Sequence, residues 1–376
     1  MKNSVVIFGA GAVGRALIAR LVAANGLIPV FVEADLQLAQ YLNQAGSYSV
    51  HLTGPAQEDY NITGYKVLTL KEGKQISKTL ADCLFMATAV GGQNLKAVAP
   101  VVTLGLKERK KALNILVCEN WPYAENVLAE ALLGAGCNKE SFSCIRCSVE
   151  RMVRKAENSL DLITESGRVL YADSQTWKGE QPRIEALVFS DNIEAIYARK
   201  VYTSNAGGVA LAYMGHLSGC QFLYEALEVT GIKENLLELL DVAKQALNKS
   251  FGLDRTELEQ HVDELITWRF SDRDLADTVA RVARNPLRKL GSQERLAGLA
   301  HLLGRCDLVT QPVSRVIAAA MHYRNLDDAE SVKLGEIIDQ KGASAILEDV
   351  CGFKRGQMCY KECMEFYENF RKGKVL

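Results

Sequence analysis

Residues 4–33 read SVVIFGAGAVGRALIARLVAANGLIPVFVE. An apolar run, Ser4–Phe8, predicts a strand; Gly9-Ala10-Gly11-Ala12-Val13-Gly14 follows as G-x-G-x-x-G; Ala16–Ala24 carries a helical pattern; and Ile28–Val32 predicts a second strand. A glycine turn directly between strand and helix is the phosphate-binding start of a βαβ unit. Gly9 permits the tight turn, Gly11 lets the backbone approach a pyrophosphate, and Gly14 lets helix and strand pack closely, while the helix N-terminus offers free N–H groups. The unit also calls for a carboxylate about 20 positions on. Glu33 supplies it, at the end of the second strand. A carboxylate there accepts hydrogen bonds from adenosine ribose hydroxyls and repels a 2′-phosphate, so the expected cofactor is NAD rather than NADP.

Outward from this stretch, strands and helices alternate. Further strands are predicted at Tyr65–Leu70, Cys83–Thr88 and Leu113–Val117, and a helix at Ala124–Leu133. That alternation predicts a largely parallel Rossmann-type sheet over residues 1–190. From about Asp191 the 3.6-residue period dominates, predicting a mostly α-helical domain over 191–376. There, the segment Asn235–Ser250 is expected to bury Leu236, Leu237, Leu240, Ala243 and Leu247 on one face, and Thr256 with Glu259 is expected to open the next helix as a capping box.

A chain of 376 residues is long enough for two domains with real cores. Its net charge of -1 provides no global basic field for nucleic acid or an acidic membrane surface. No apolar run approaches the ~18 residues that span a bilayer. Glycines, Arg15 and Arg20 interrupt the N-terminal apolar stretch, which therefore reads as retained structure and not as a signal peptide. A cytoplasmic protein is expected, with its ten cysteines reduced. Cys144 and Cys147 are spaced C-x-x-C, but on a predicted strand they point to opposite faces, and no second pair lies nearby at zinc spacing. Packing roles are expected for them and for Cys359 and Cys363, and no metal site is expected.

Several segments, in order and spacing, carry a resemblance that covers essentially the whole chain. Lys200-Val201-Tyr202-Thr203-Ser204-Asn205 resembles the K-x-x-x-x-N-x-x-H signature of the polyol-specific long-chain dehydrogenases, the mannitol dehydrogenase family. Cys118-Glu119-Asn120, Thr88-Ala89-Val90-Gly91, Ser148-Val149-Glu150-Arg151, residues 285–290 (NPLRKL) and residues 318–324 (AAAMHYR) are similar to segments of its mannitol-1-phosphate branch. The resemblance implies metal-free hydride transfer between a small sugar or polyol and NAD, with mannitol 1-phosphate and fructose 6-phosphate as the first pair to test. It assigns Lys200 as general base, Asn120 and Asn205 as donors to the reacting oxygen, and Ala89 and Val90 to the cofactor site. Lysine can serve as such a base where burial and a nearby positive ring lower its pKa. A lone lysine in a helical pattern would otherwise be a solvated surface residue. A monomer or homodimer is expected.

One position departs from the signature: the histidine three residues after the asparagine is Gly208 here. Losing an oxyanion donor costs about 10²–10³ in turnover, so the resemblance allows a slow enzyme, one with another polyol or sugar-acid substrate, or an NAD-binding sensor. His216 lies about two helical turns further on and is not expected to substitute. Arg281, Arg284, Arg288 and Lys289 form either a solvated basic helix end or a site for a sugar phosphate, in which Arg284, Arg288 and Lys289 are the candidates. His322, alone on an alanine-rich helix, is either structural or substrate-facing.

Overall fold

The computed structural model describes residues 3–55, 57–156, 159–166 and 169–374. The chain divides into two compact units, Met1–Ile196 and Tyr197–Leu376. In the first unit, five consecutive buried residues form β1 (Ser4–Phe8). A strand buried at every position must be covered on both faces, and it is. Val5 and Ile7 pack with Leu17 and Ile18 of the following helix on one side, whereas Val6 and Phe8 pack with Ile76, Leu80, Val98 and Val102 on the other.

Twelve strands are present among the described residues: β1, β2 (Ile28–Glu33), β3 (Ser47–Thr53), β4 (Asp59–Thr63), β5 (Lys66–Thr69), β6 (Met86–Thr88), β7 (Leu113–Val117), β8 (Phe142–Val149), β9 (Val153–Lys155), β10 (Leu162–Glu165), β11 (Leu170–Asp173) and β12 (Leu187–Ser190). The main sheet runs β12-β11-β8-β7-β6-β1-β2-β5. Its six strands from β5 to β8 are all parallel, in the doubly wound order of a Rossmann sheet. β11 joins β8 antiparallel, with β12 parallel beyond it. The strand order reverses between β1 and β6, and ligands bind at such a reversal, beyond the carboxyl ends of the strands.

A second sheet, β4-β3-β10-β9, was not anticipated. Its strands are short, and β3 finds its parallel partner β10 more than a hundred residues away, a pairing that local pattern cannot reveal. Cys144 and Cys147 do fall on opposite faces of β8, in the two different cores flanking the main sheet.

The second unit is helical, built round Ala206–Leu217, a helix buried at every position from Ala206 to Gly215. It packs against the helices Thr230–Phe251, Val279–Ala283 and Gln311–Met321. On Thr230–Phe251, Leu236, Leu240, Ala243 and Leu247 are buried as expected, but Leu237 is 43% exposed and Leu239 takes its place in the core. The next helix opens at Asp254, whose carboxylate accepts from the Glu257 amide at 3.0 Å; Thr256 is not its cap. Cys359 and Cys363 are buried on Met358–Arg371 with sulfurs 3.9 Å apart. Among the described residues no helix is long and apolar enough to cross a membrane, and no group of three or more His, Cys, Asp or Glu is placed to hold a metal ion.

Candidate active site

In the first unit the glycine turn is shaped by close approaches. Gly9 leaves β1 at φ +94°, and its amide donates to the Val32 carbonyl at 2.9 Å. A Cβ on Gly9 would lie 2.4 Å from the Ala89 carbonyl oxygen, and one on Gly14 would lie 2.1 Å from the Gly9 carbonyl oxygen. A Cβ on Gly11 would meet nothing within 4 Å. The first and third glycines are thus required by packing, while the second leaves open space for a ligand. Gly9, Gly11, Glu33, Ala89 and Val90 line one cavity of about 410 Å³. Ala10, Ala12, Val13 and Gly14 build the turn and do not line that cavity.

Glu33 has a second task. Its carboxylate accepts from the Ala10 amide at 2.6 Å and from the Asp35 amide at 2.9 Å, so it clamps the turn it faces. Two contributors carried no assigned role in the sequence. Glu119, from the Cys118-Glu119-Asn120 segment, accepts from the Val90 and Gly91 amides, both at 2.9 Å, and thereby holds the loop after β6. Burial pushes its carboxyl above the usual range. Arg15, only 2% exposed, donates to the Ala10 carbonyl at 2.8 Å and to the Leu160 carbonyl, and lies over the Tyr48 ring. The one signal for either was position, inside or directly after a motif. Asn120 is exposed, just beyond β7.

In the second unit, Lys200 and Asn205 begin and end a π-helical turn, Lys200–Asn205, that runs directly into Ala206–Leu217. In an α-helix, residues five apart lie about 140° apart around the axis. Bonding from i to i+5 widens the turn and brings them toward one face. Lys200 is 6% exposed, its Nζ 6.0 Å from the centre of the Tyr197 ring. Asn205 Nδ2 is buried and has no hydrogen-bond partner. Buried donors are rarely left so, and one five residues along the turn from a buried lysine is suited to an incoming oxygen. A Cβ on Gly208 would stand 3.7 Å from Phe270 and 3.8 Å from Val282, so this position is walled by apolar groups. His216 packs edge-on against Tyr323.

The basic cluster divides. Among the described residues neither the Arg284 nor the Arg288 guanidinium has an ion pair, and Arg288 Nε is buried without a partner. Asn285, at φ +59°, starts the short helix Pro286–Leu290, and the amides of Asn285 and Arg288 are anchored by Asp328 and Glu330, each at 2.8 Å. Lys289 departs from its assignment: its Nζ is turned inward and donates to the Val282 and Arg284 carbonyls, and the side chain is buried. His322 is likewise engaged elsewhere, with Nε2 3.0 Å from the Tyr367 carbonyl and its ring stacked on Tyr367.

Burial, then Arg295, Arg288, Arg281 and Arg284, pushes the Lys289 ammonium down to about 6 from 10.5. Between those values the unfolded chain binds more protons than the native one, so this group's contribution to stability rises with pH. The gap in unfolding free energy between the native sequence and Lys289→Met should therefore move in favour of lysine by about 1 kcal/mol per pH unit from pH 6 to 9, in urea titrations. A gap independent of pH would contradict this burial of the amine.

Residues 3–186 match the mannitol dehydrogenase Rossmann domain, and residues 192–357 match the mannitol dehydrogenase C-terminal domain. Mannitol-1-phosphate 5-dehydrogenase of Bacillus subtilis (strain 168) is 31% identical over 360 residues, covering 92% of this chain and 95% of the relative. The protein of that name from Geobacillus thermodenitrificans (strain NG80-2) is 29% identical over 381 residues, covering 98% and 99%. Among solved structures, Pseudomonas fluorescens mannitol 2-dehydrogenase in ternary complex with NAD and D-mannitol superposes with a TM-score of 0.80 at 16% identity, covering 100% of this chain and 93% of that one. A substrate-free D-sorbitol dehydrogenase gives 0.82 at 18% identity, covering 100% and 94%. These two likenesses show a shared fold.

Proposed function

We propose that this chain, which belongs to the mannitol dehydrogenase family, is an NAD-dependent oxidoreductase that interconverts a polyol phosphate and its ketose phosphate, mannitol 1-phosphate and fructose 6-phosphate first among the candidates. The observation that carries the reading is the π turn, with a buried lysine at one end and a buried, unpartnered amide donor at the other. Lys200 takes the hydroxyl proton on oxidation and returns it on reduction. Asn205 donates to the oxygen as it gains negative charge, a role the family resemblance also implies for Asn120. NAD, when bound, supplies the hydride acceptor, and the open face at Gly11 with Glu33 at the cavity edge suits a dinucleotide. No metal is needed, because the lysine and the amides together supply the base and the electrophile. The chain acts as a monomer or homodimer in the cytoplasm.

Glu33 sets the choice of cofactor under this reading. Glu33→Ala should weaken NADH binding about tenfold, because the Ala10 amide also loses its acceptor. It should also narrow the preference over NADPH, as read by calorimetry. Equal affinity of the native sequence for both cofactors would remove this role.

Arg284 and Arg288 support a phosphorylated substrate, since their guanidiniums are uncommitted and Arg288 Nε lacks a partner. A bidentate guanidinium–phosphate pair would satisfy it. The test is to compare fructose 6-phosphate with fructose. Arg288→Ala should raise KM for the phosphate about tenfold and leave fructose unchanged. Equal losses on both substrates would overturn the phosphate role.

The apolar wall at Gly208 favours a second reading, in which the substrate is another polyol or a sugar acid. A screen of ketoses, ketose phosphates and keto sugar acids separates the two.

A further inference from the structure

Thr203 and Ser204 lie inside the π turn, between Lys200 and Asn205, and both are buried. Against them stands His261, 6% exposed, on the helix Arg255–Glu264. Its Nε2 lies 3.0 Å from Thr203 Oγ1 and 3.4 Å from Ser204 Oγ. The Thr203 hydroxyl donates its one proton to the Arg199 carbonyl at 2.5 Å. A hydroxyl whose proton is committed can only accept from a further partner. The direction of the second bond follows: His261 Nε2 carries a hydrogen and donates it to Thr203.

Back-bonding from a threonine hydroxyl to the carbonyl four residues earlier loosens the α-helical ladder, and here it coincides with the i→i+5 turn. Such turns are held by their surroundings. Were this one to tighten by a residue, Asn205 would swing about 100° round the axis relative to Lys200. A displacement of even 1 Å in a reacting group can cost about 10²-fold in rate.

We infer that His261 is a positioning residue: by donating to Thr203 it pins the wide turn that keeps Lys200 and Asn205 toward one face. The inference rests on the role proposed above for Lys200, and goes beyond it by naming what holds that role in place. His261 was not singled out in the sequence, where it sits between Leu258 and Val262 on the buried face of a largely polar helix. The contact joins residues 58 apart, a separation no local pattern reveals.

The test compares His261→Leu, which removes the donor, with His261→Gln, whose terminal amide can replace it, in the full chain. Amide hydrogen exchange over residues 199–206 should rise about tenfold or more in His261→Leu and return toward the native rate in His261→Gln. Exchange over Ser4–Phe8 and NADH affinity should stay unchanged. With fructose 6-phosphate, kcat should fall about 10- to 100-fold in His261→Leu with KM within about twofold, and His261→Gln should recover most of it. Should His261→Leu not fold, His261→Asn, too short to reach Thr203, takes its place. Unchanged exchange over 199–206, or a glutamine variant no better than leucine, overturns the inference, as does a loss of rate that only follows loss of folded protein. Lys200→Ala is run alongside. If it keeps native turnover, the role of Lys200 falls, while the exchange data still judge His261.

Discussion

Lys200→Ala is expected to lower kcat by about 10²–10⁴-fold, the usual worth of a positioned general base, while NADH affinity stays within about twofold. The separation follows from where the parts lie. The cavity lined by Gly9, Gly11, Glu33, Ala89 and Val90 is built wholly from the first unit, and Lys200 belongs to the second. Removing the base leaves the glycine turn and its Glu33 clamp untouched. Steady-state kinetics with fluorescence titration of NADH measure both quantities. A fall in affinity to match the fall in rate would mean that Lys200 holds the fold or the cofactor and does not handle the proton.

The second large effect belongs to Gly14→Ala. Helix propensity alone predicts a gain, since alanine is about 1 kcal/mol better than glycine inside a helix. Packing predicts the reverse: the added Cβ would stand 2.1 Å from the Gly9 carbonyl oxygen, a backbone atom that cannot swing aside as a side chain can. Moving it displaces Gly9, whose own path is fixed by the Ala89 carbonyl and by its bond to Val32. We expect overpacking to win by about 3 kcal/mol and NADH binding to fall about 100-fold or more, measured by thermal melting and titration. Native affinity in this variant would show that the turn has freedom that its contacts do not suggest.

What the sequence made legible was what lies close together along it. The turn from Gly9 to Gly14, its strand, its helix and Glu33 sit within thirty residues, and each has a backbone or charge requirement that few residue types meet. The alternation giving β5, β6 and β7 was readable for the same reason. Pairings across long separations were hidden: β3 with β10, Glu119 with the Val90–Gly91 amides, and His261 with Thr203. The side of a helix on which a residue falls was readable to about one position, so Leu237 and Leu239 were exchanged. The basic segment 284–289 showed charge but not direction. Only the structure shows Lys289 spent on backbone carbonyls and the Arg288 Nε left without a partner. The π turn was the least visible feature. It depends on how the backbone closes and not on residue type.

The measurement that bears most directly on the central claim is NADH oxidation by the purified chain with fructose 6-phosphate at neutral pH, with Lys200→Ala as the paired control. The account predicts steady oxidation with one polyol phosphate formed per NADH consumed, and a rate lower by about 10²–10⁴-fold in the variant although it still binds NADH. A native chain that binds NADH yet oxidises it with no ketose, ketose phosphate or keto sugar acid would contradict it.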